Sequence, residues 1–550
     1  MPEQPTRDDT SLGRFADQAM TFLEEEYRDS PVMASGLGLT QYDEELDDLS
    51  AAAFARREER DRAWLRRFRA VPDDGLGTAA VDRDFLIAIL RGREILHPHA
   101  MWKRQPATYL GPGLTGVFTL FLHRLRPERE LAEAARARLE QVPAALEHGM
   151  ANLDPALVPP IYVERAIGQA RAGARYAREL VPGEVRDKTA REKLAAAGDV
   201  AAQAFERFAG SLGDLQRKAS GAYAVGEGVY SALLREKELL PYDARALRER
   251  GRQEYDRLSA EAKRLTKAVA GHEDWVALLH ELNRIHAPDP EGMRREYEEW
   301  TERARSFLRR SGLVTLPQGE RCLVEPSPHF QRPVIAVASY NRPPAFSDSL
   351  TGHFFVPFPP DGTPPDEIEK RLEGNCTHGI PTTSVHEAYP GHHWHLVMAK
   401  SNGSHVRRVF STSYFSEGWA LYAERAMREQ GFFEDPRQEL YQVEATIFRA
   451  ARVVVDTSLH MGEMSFDEAV RFMMEKANLT PPNARAEVGR YCSWPTQASS
   501  YLTGMLEILD IRERYLARRG SRDVPALRAF HDAITSSGAL PTSLAERAIA

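Results

Sequence analysis

Along the segments Asp243–Val269 and Glu130–Val142, apolar residues recur every three or four positions, the period of one helix face. The whole stretch 1–310 is rich in Ala, Arg, Glu and Leu, all strong helix formers. Breaks near 155–160, at Pro182–Gly183, at Pro241 and at Pro288–Pro290 cut it into separate helices. The pattern predicts a series of long helices whose arginine-laced faces are solvated. Between about 313 and 365 the texture changes. Arg332–Asn341 contains V-I-A-V-A-S-Y and His353–Pro357 reads H-F-F-V-P. Both are short, β-rich and bounded by Pro or Gly, so a small antiparallel β element is expected near 330–357. Helical patterning returns at 366–372 and from about 382 onward, ending in terminal helices over Pro525–Ala550. The Pro-rich stretches Pro343–Pro344 and Pro357–Pro365 read as loops, not as a domain linker. The expectation is a mainly α protein, with a helical part over 1–310 and a second part, 311–550, that carries the chemistry.

Composition narrows the class. Of 550 residues, 42% are hydrophobic, enough for a large core and too many for a disordered chain. Lys and Arg total 72 against 80 Asp and Glu, a net charge of −8, so there is no bulk attraction to nucleic acid or anionic membrane. Cys322, Cys376 and Cys492 are too few for a disulfide framework, and a reducing, cytoplasmic setting is expected. The beginning of the sequence is polar where a signal peptide has an apolar run. The least charged stretch, Gly111–Leu122, is broken by glycines and a proline and is short of the roughly 20 apolar residues of a membrane span.

Histidine placement points to the chemistry. Six of the 17 histidines fall between 378 and 405: His378, His386, His392, His393, His395 and His405. Imidazole is the commonest metal ligand and a frequent acid–base group. Within the cluster stands V-H-E-A-Y-P-G-H-H-W-H, residues 385–395. His386-Glu387 opens like the zinc motif H-E-x-x-H, in which two histidines bind one ion and the Glu activates water. Here the fourth position after His386 is Pro390. On a regular helix His386 and His392 would point about 240° apart, and His393 would lie about 10 Å further along the axis. Pro390 cannot donate to the helix ladder and disfavours α geometry at Tyr389, and Gly391 admits unusual backbone. A two-residue bulge at this point would turn a spacing of six into an effective four. His386 and His392 are therefore the candidate ligands. The alternative is a helix simply ended by Pro-Gly, with the histidines on the surface.

Catalytic zinc usually takes three protein ligands and a water. The next acidic candidates are Glu417 and Glu424 in S-E-G-W-A-L-Y-A-E. Glu417 follows His392 by 25 residues, a spacing at which a carboxylate on a following helix completes one class of zinc-peptidase site. It could otherwise be a helix-start Glu favoured by the dipole. Glu424, two turns on, either orients a ligand or is exposed.

H-E-A-Y-P-G-H-H together with E-G-W-A-L-Y-A-E closely resembles the bacterial family catalogued as domain of unknown function 885. G-L-G-L-T-Q-Y-D-E-E-L (36–46), L-L-P-Y-D-A-R-A-L (239–247) and R-Y-C-S-W-P-T-Q-A-S-S-Y-L-T-G (490–504) resemble its other segments, so the likeness covers most of the chain. The resemblance implies a large helical zinc-peptidase-like fold, similar to angiotensin-converting enzyme, with a deep central cleft between two lobes of one catalytic unit, 1–550. It implies one zinc ion held by His386, His392 and Glu417, with Glu387 as general base and a tyrosine, Tyr501 or secondly Tyr491, at the oxyanion. Arg490, Arg407 and Arg408 are possible clamps for a substrate carboxylate. His393 and His395 are further candidates near the site. Two residues depart from the family pattern: His395 stands where Gln is usual and Thr496 where Gly is usual. The extra histidine is a candidate for substrate recognition or acid–base work.

The function this predicts is zinc-dependent hydrolysis of a peptide or related amide bond in a short or chain-end substrate. A non-hydrolytic iron enzyme on the same frame, and an inactive peptide-binding protein, are the alternatives; the intact Glu387 argues against the second. Nucleic-acid and membrane partners are not expected. Thiol chemistry at Cys376, close to His378, lacks an orienting partner.

Overall fold

Helix boundaries fall where the sequence supplies caps. Asp289 accepts from the Gly292 amide at 2.6 Å, Pro290 occupies the first turn, and Gly312 closes the helix at φ +67°, defining α1 (Pro290–Ser311). The Pro288–Pro290 break is thus a helix start. The structure, a computed structural model, describes residues 11–329, 331–332, 337–360 and 362–550. It is mainly helical, with one small sheet. Asp243–Val269 forms the helix Ala244–Ala270, and Glu130–Val142 lies within Glu128–Asn152. The apolar stretch Gly111–Leu122 lies within the helix Ala107–His123. Among the described residues no helix is long and apolar enough to cross a membrane.

The chain forms two compact units. Among the described residues, the first takes in those within Met1–Tyr223, His329–Val334 and Pro344–Ser349. Its core packs Leu114, Leu139, Leu146, Phe205 and Phe208 from the helices Ala107–His123, Glu128–Asn152 and Lys188–Gln216. Close helix approach requires glycine here: a Cβ at Gly149 would meet the Tyr109 ring at 2.7 Å. The second unit takes in the described residues within Ala224–Pro328, Ile335–Pro343 and Leu350–Ala550. The division therefore falls after Tyr223, not at 310, where composition changes. Ala244–Ala270 has the texture of the preceding helices, yet it packs in the second unit, where a Cβ on Gly251 would meet Val453 at 2.7 Å.

The sheet differs from the expected antiparallel element. β1 (Arg321–Pro326) runs parallel to β3 (Thr351–Val356), and β2 (Ser339–Asn341) runs antiparallel to it, in the order β1-β3-β2. The antiparallel pair exists, but a third, parallel strand precedes it. β1 shows little apolar alternation because it lies at an edge, whereas β3 is central and buried from Gly352 to Val356. Of the expected run Arg332–Asn341, only Ser339–Asn341 is strand; Pro333–Ala336 lie outside the described residues.

Candidate metal centre

The motif folds as two helices joined by a tight offset. α2 (Ile380–Glu387) stops at Ala388, Tyr389–Pro390 is a cis peptide, and α3 (His392–Lys400) begins two residues later. The Gly391 amide donates to the Val385 carbonyl at 3.0 Å and the Trp394 amide to the Ala388 carbonyl at 3.2 Å, each spanning six residues. The ladder returns to a span of four at His395 to Gly391, 3.0 Å. Two residues are thus inserted into the helical register. Gly391 is required for close approach rather than for positive φ: a Cβ there would lie 1.9 Å from the His386 carbonyl oxygen.

The following motif delivers the carboxylates. α4 (Ser413–Glu429) starts at the Thr412 cap and packs in backbone contact with the helix Ser500–Arg519. α5 (Pro436–His460), α6 (Pro481–Ser493) and α7 (Ser500–Arg519) complete the surroundings. A Cβ on Gly418 would lie 2.5 Å from Gly504 of α7, and one on Gly504 would lie 1.8 Å from the Tyr414 carbonyl. The indole of Trp419 donates to the Pro390 carbonyl at 2.8 Å, tying α4 to the offset.

The result is a convergence of the predicted ligands. Glu417 Oε2 lies 3.2 Å from His392 Nε2 and 3.6 Å from His386 Nε2. One ligand atom from each of His386, His392 and Glu417 lies within 4.8 Å of the others, and the two imidazole planes stand at 89°. His386 Nδ1 bonds Glu424 Oε1 at 2.7 Å, which leaves Nε2 facing the shared point. Glu424 is buried, so it is not the exposed alternative.

Electrostatics favour positive charge here. Burial disfavours a charged His386, but the Glu417 and Glu424 carboxylates outweigh it and push its pKa up to about 9. Burial also acts against a charged Glu417, yet the His392 and His386 rings hold its carboxyl well below the usual range. Burial raises the pKa of Glu387, against the pull of the two imidazoles. Three carboxylates around two imidazoles suit a divalent cation, and two ring nitrogens plus one carboxylate oxygen, with a carboxylate behind one ring, fit zinc.

Tyr501 on α7 stacks on His386, with ring centroids 6.4 Å apart and 18° between planes. Its hydroxyl accepts from Gln497 Nε2 at 3.5 Å. Burial, reinforced by the charge of Glu417, raises its pKa and keeps it a donor. Tyr491 is otherwise engaged: its hydroxyl donates to Glu487 at 2.6 Å and accepts from Arg452 Nε at 3.0 Å. Arg490 bonds Glu487 at 3.0 Å and Gln497. Arg407 donates to the Ser537 carbonyl at 3.3 Å and Arg408 to the Asn402 carbonyl at 2.7 Å, so both brace backbone.

The remaining histidines separate. His393 is buried between Glu320, 2.8 Å from Nε2, and the Tyr340 hydroxyl, 2.8 Å from Nδ1. Glu320 also accepts from Tyr389 and, at 2.8 Å, from Arg305 of α1. Tyr340 reaches this point by crossing Gly352, where a Cβ would lie 1.8 Å from its hydroxyl. His395 packs on Phe415 and Trp419, and burial drives its pKa down to about 3, which suits packing rather than acid–base work near neutrality. His378 stacks on Tyr441, and His405 opens the short helix His405–Val409. Sequence reasoning missed Glu320, Tyr340, Arg449, Arg452 and Glu487. R-A-A-R at 449–452 was a usable signal, since a spacing of three puts both guanidinium groups on one helix face. Thr496 has φ +71°, a conformation that favours glycine.

The chain belongs to the family described as bacterial protein of unknown function (DUF885), whose pattern matches residues 31–549. No curated protein matches the sequence. Two solved structures are similar at 20% identity. One, described as a "putative lipoprotein of unknown function" from Shewanella oneidensis, covers 97% of this chain and 99% of its own, with a TM-score of 0.76. The other, a "putative lipoprotein" from Colwellia psychrerythraea, covers 98% and 99%, with a TM-score of 0.82. They support the fold alone.

Proposed function

We propose that the chain is a zinc-dependent hydrolase that cleaves a peptide or related amide bond. What carries the reading is the approach of Glu417 Oε2 to both Nε2 atoms, 3.2 and 3.6 Å, directly beside buried Glu387. In this reading His386, His392 and Glu417 hold one zinc ion. When bound, zinc supplies a Lewis acid that acidifies water and polarises the scissile carbonyl. Glu387 takes the proton from the attacking water and delivers it to the leaving amine; its raised pKa favours holding the proton between the two steps. Tyr501 donates its hydroxyl proton in a hydrogen bond to the developing oxyanion. Glu424 fixes the His386 ring through Nδ1. The peptidase-like cleft belongs to the same proposal, as does a small peptide or amide partner. The cytoplasmic setting is proposed on the three cysteines, all free of disulfide bonds.

Metal analysis combined with turnover of a peptide library by wild type and Glu387→Gln tests the proposal. Zinc in both proteins, with turnover only in wild type, is the expected result. Full activity in zinc-loaded Glu387→Gln contradicts it. The same donor set also suits non-haem iron. Iron as the bound metal, with no amide hydrolysis, would favour that second reading.

A further inference from the structure

Two arginines of α5 lie beside the trio, and each has a buried guanidinium nitrogen without a hydrogen-bond partner. The Arg452 guanidinium lies 4.6 Å from the centroid of the Tyr501 ring, and that of Arg449 lies 5.8 Å from the same centroid. Tyr501 stacks in turn on His386. Arg452 is 5% exposed. Its Nε donates to the Tyr491 hydroxyl and its Nη2 to Glu487 Oε2 at 2.7 Å, but Nη1 is buried without a partner. Glu487 Oε2 also accepts from Arg490 and from Tyr491, so Arg452 and Arg490 share one carboxylate. Arg449 donates Nη1 to the Ala445 carbonyl of its own helix at 3.1 Å, and its Nε is buried without a partner. Arg452 and Arg490 thus divide one carboxylate between them, while Arg449 hydrogen-bonds a backbone carbonyl and reaches the Glu387 and Glu444 carboxylates only through its electrostatic field. Buried polar groups are ordinarily satisfied, and guanidinium pairs most strongly with a planar carboxylate.

We infer that Arg452 and Arg449 form a subsite for a carboxylate of the substrate, on the Tyr501 side of the metal ligands. The inference rests on the hydrolase reading for its role and names the substrate class: a short peptide or amide carrying a carboxylate near the bond cut. That carboxylate is either the free end of a chain or an acidic side chain. It differs from the clamp expected at Arg407, Arg408 or Arg490, which donate to backbone carbonyls, Glu487 and Gln497.

The test is calorimetric binding of N-acetyl-Ala-Ala, its C-terminal amide, and N-acetyl-Glu-Ala amide to the full-length protein, chelator-treated and again zinc-loaded. In the chelator-treated protein no metal can take the carboxylate. There, one of the two acids should bind at least about tenfold more tightly than the neutral amide. The acid preferred identifies the source, chain end or side chain. Arg452→Gln should bring the preference close to unity, and Arg449→Gln, at a half-buried position, should reduce it with an unchanged melting temperature. Equal binding of all three ligands to wild type overturns the inference, whatever the variants do. So does an undiminished preference in a folded Arg449→Gln and a folded Arg452→Gln. Acid-selective binding without hydrolysis would support the subsite and remove the hydrolase reading; hydrolysis without acid selectivity would overturn the subsite and leave the hydrolase.

Discussion

Arg138 in the first unit and Arg452 in the second are both buried guanidinium groups, and they are buried differently. Arg138, 0% exposed, donates to the carbonyls of Gly116 at 2.5 Å and of Glu45 and Tyr42, each at 3.1 Å. In the same unit, Glu26 accepts from Arg93 at 2.8 Å and from Arg60, which also bonds Asp61 at 2.7 Å. Arg138 thus spends its donors on backbone carbonyls, and Glu26, Arg60, Asp61 and Arg93 pair with one another across helices. In the second unit, Arg452 Nη1, Arg449 Nε and Glu424 Oε2 are buried without partners, and three carboxylates surround two imidazoles. A closed network is a structural device; an open one has room in its charge balance for a cation and an anion from outside.

The sharpest way to break this comparison is Glu387→Gln. The variant should keep its metal and fold while peptide turnover falls about 10²- to 10⁴-fold, measured with a library. Next, Glu424→Gln should weaken zinc affinity by about 10- to 100-fold in competition with a chromophoric chelator, because it removes the carboxylate that orients His386. By contrast Arg138→Gln should leave zinc affinity unchanged and lower the melting temperature.

The pH dependence follows from His386. Its pKa is raised to about 9 in the metal-free protein, so protonation contributes stability that is full below the ordinary histidine value and is lost as pH rises through about 9. Melting temperatures of chelator-treated protein should fall over that window. Zinc should flatten the decline, since the ring then holds a cation rather than a proton. An identical slope with and without zinc would detach His386 from the metal.

The smallest effect expected is at Thr496. A β-branched residue at φ +71° is strained, and Thr496→Gly should stabilise by about 1 kcal/mol in denaturant unfolding. No gain would show that packing of the buried Thr496 side chain compensates.

The helical character and the approach of His386 to His392 were legible in the sequence because both depend on local spacing. The residues of V-H-E-A-Y-P-G-H-H define a helix, an interruption and a second helix, and the geometry of six residues demanded the two-residue insertion seen between Val385 and Gly391. Glu424 stayed ambiguous because its role depends on a contact with His386 across two helices. The partners of His393 were illegible for the same reason: Glu320 reaches it from the residue before β1 and Tyr340 from β2, 73 and 53 residues away. β1 escaped notice because a short edge strand carries little apolar alternation. The departure at Thr496 was visible, but its meaning as a left-handed backbone position emerged only from φ.

Zinc stoichiometry tests the central claim most directly. Wild type and His392→Ala, each equilibrated with zinc and freed of excess, are compared by elemental analysis alongside circular dichroism. The account predicts one tightly held zinc per wild-type chain and none in a folded His392→Ala. A wild-type chain without zinc, or a folded variant that retains it in full, would contradict the account.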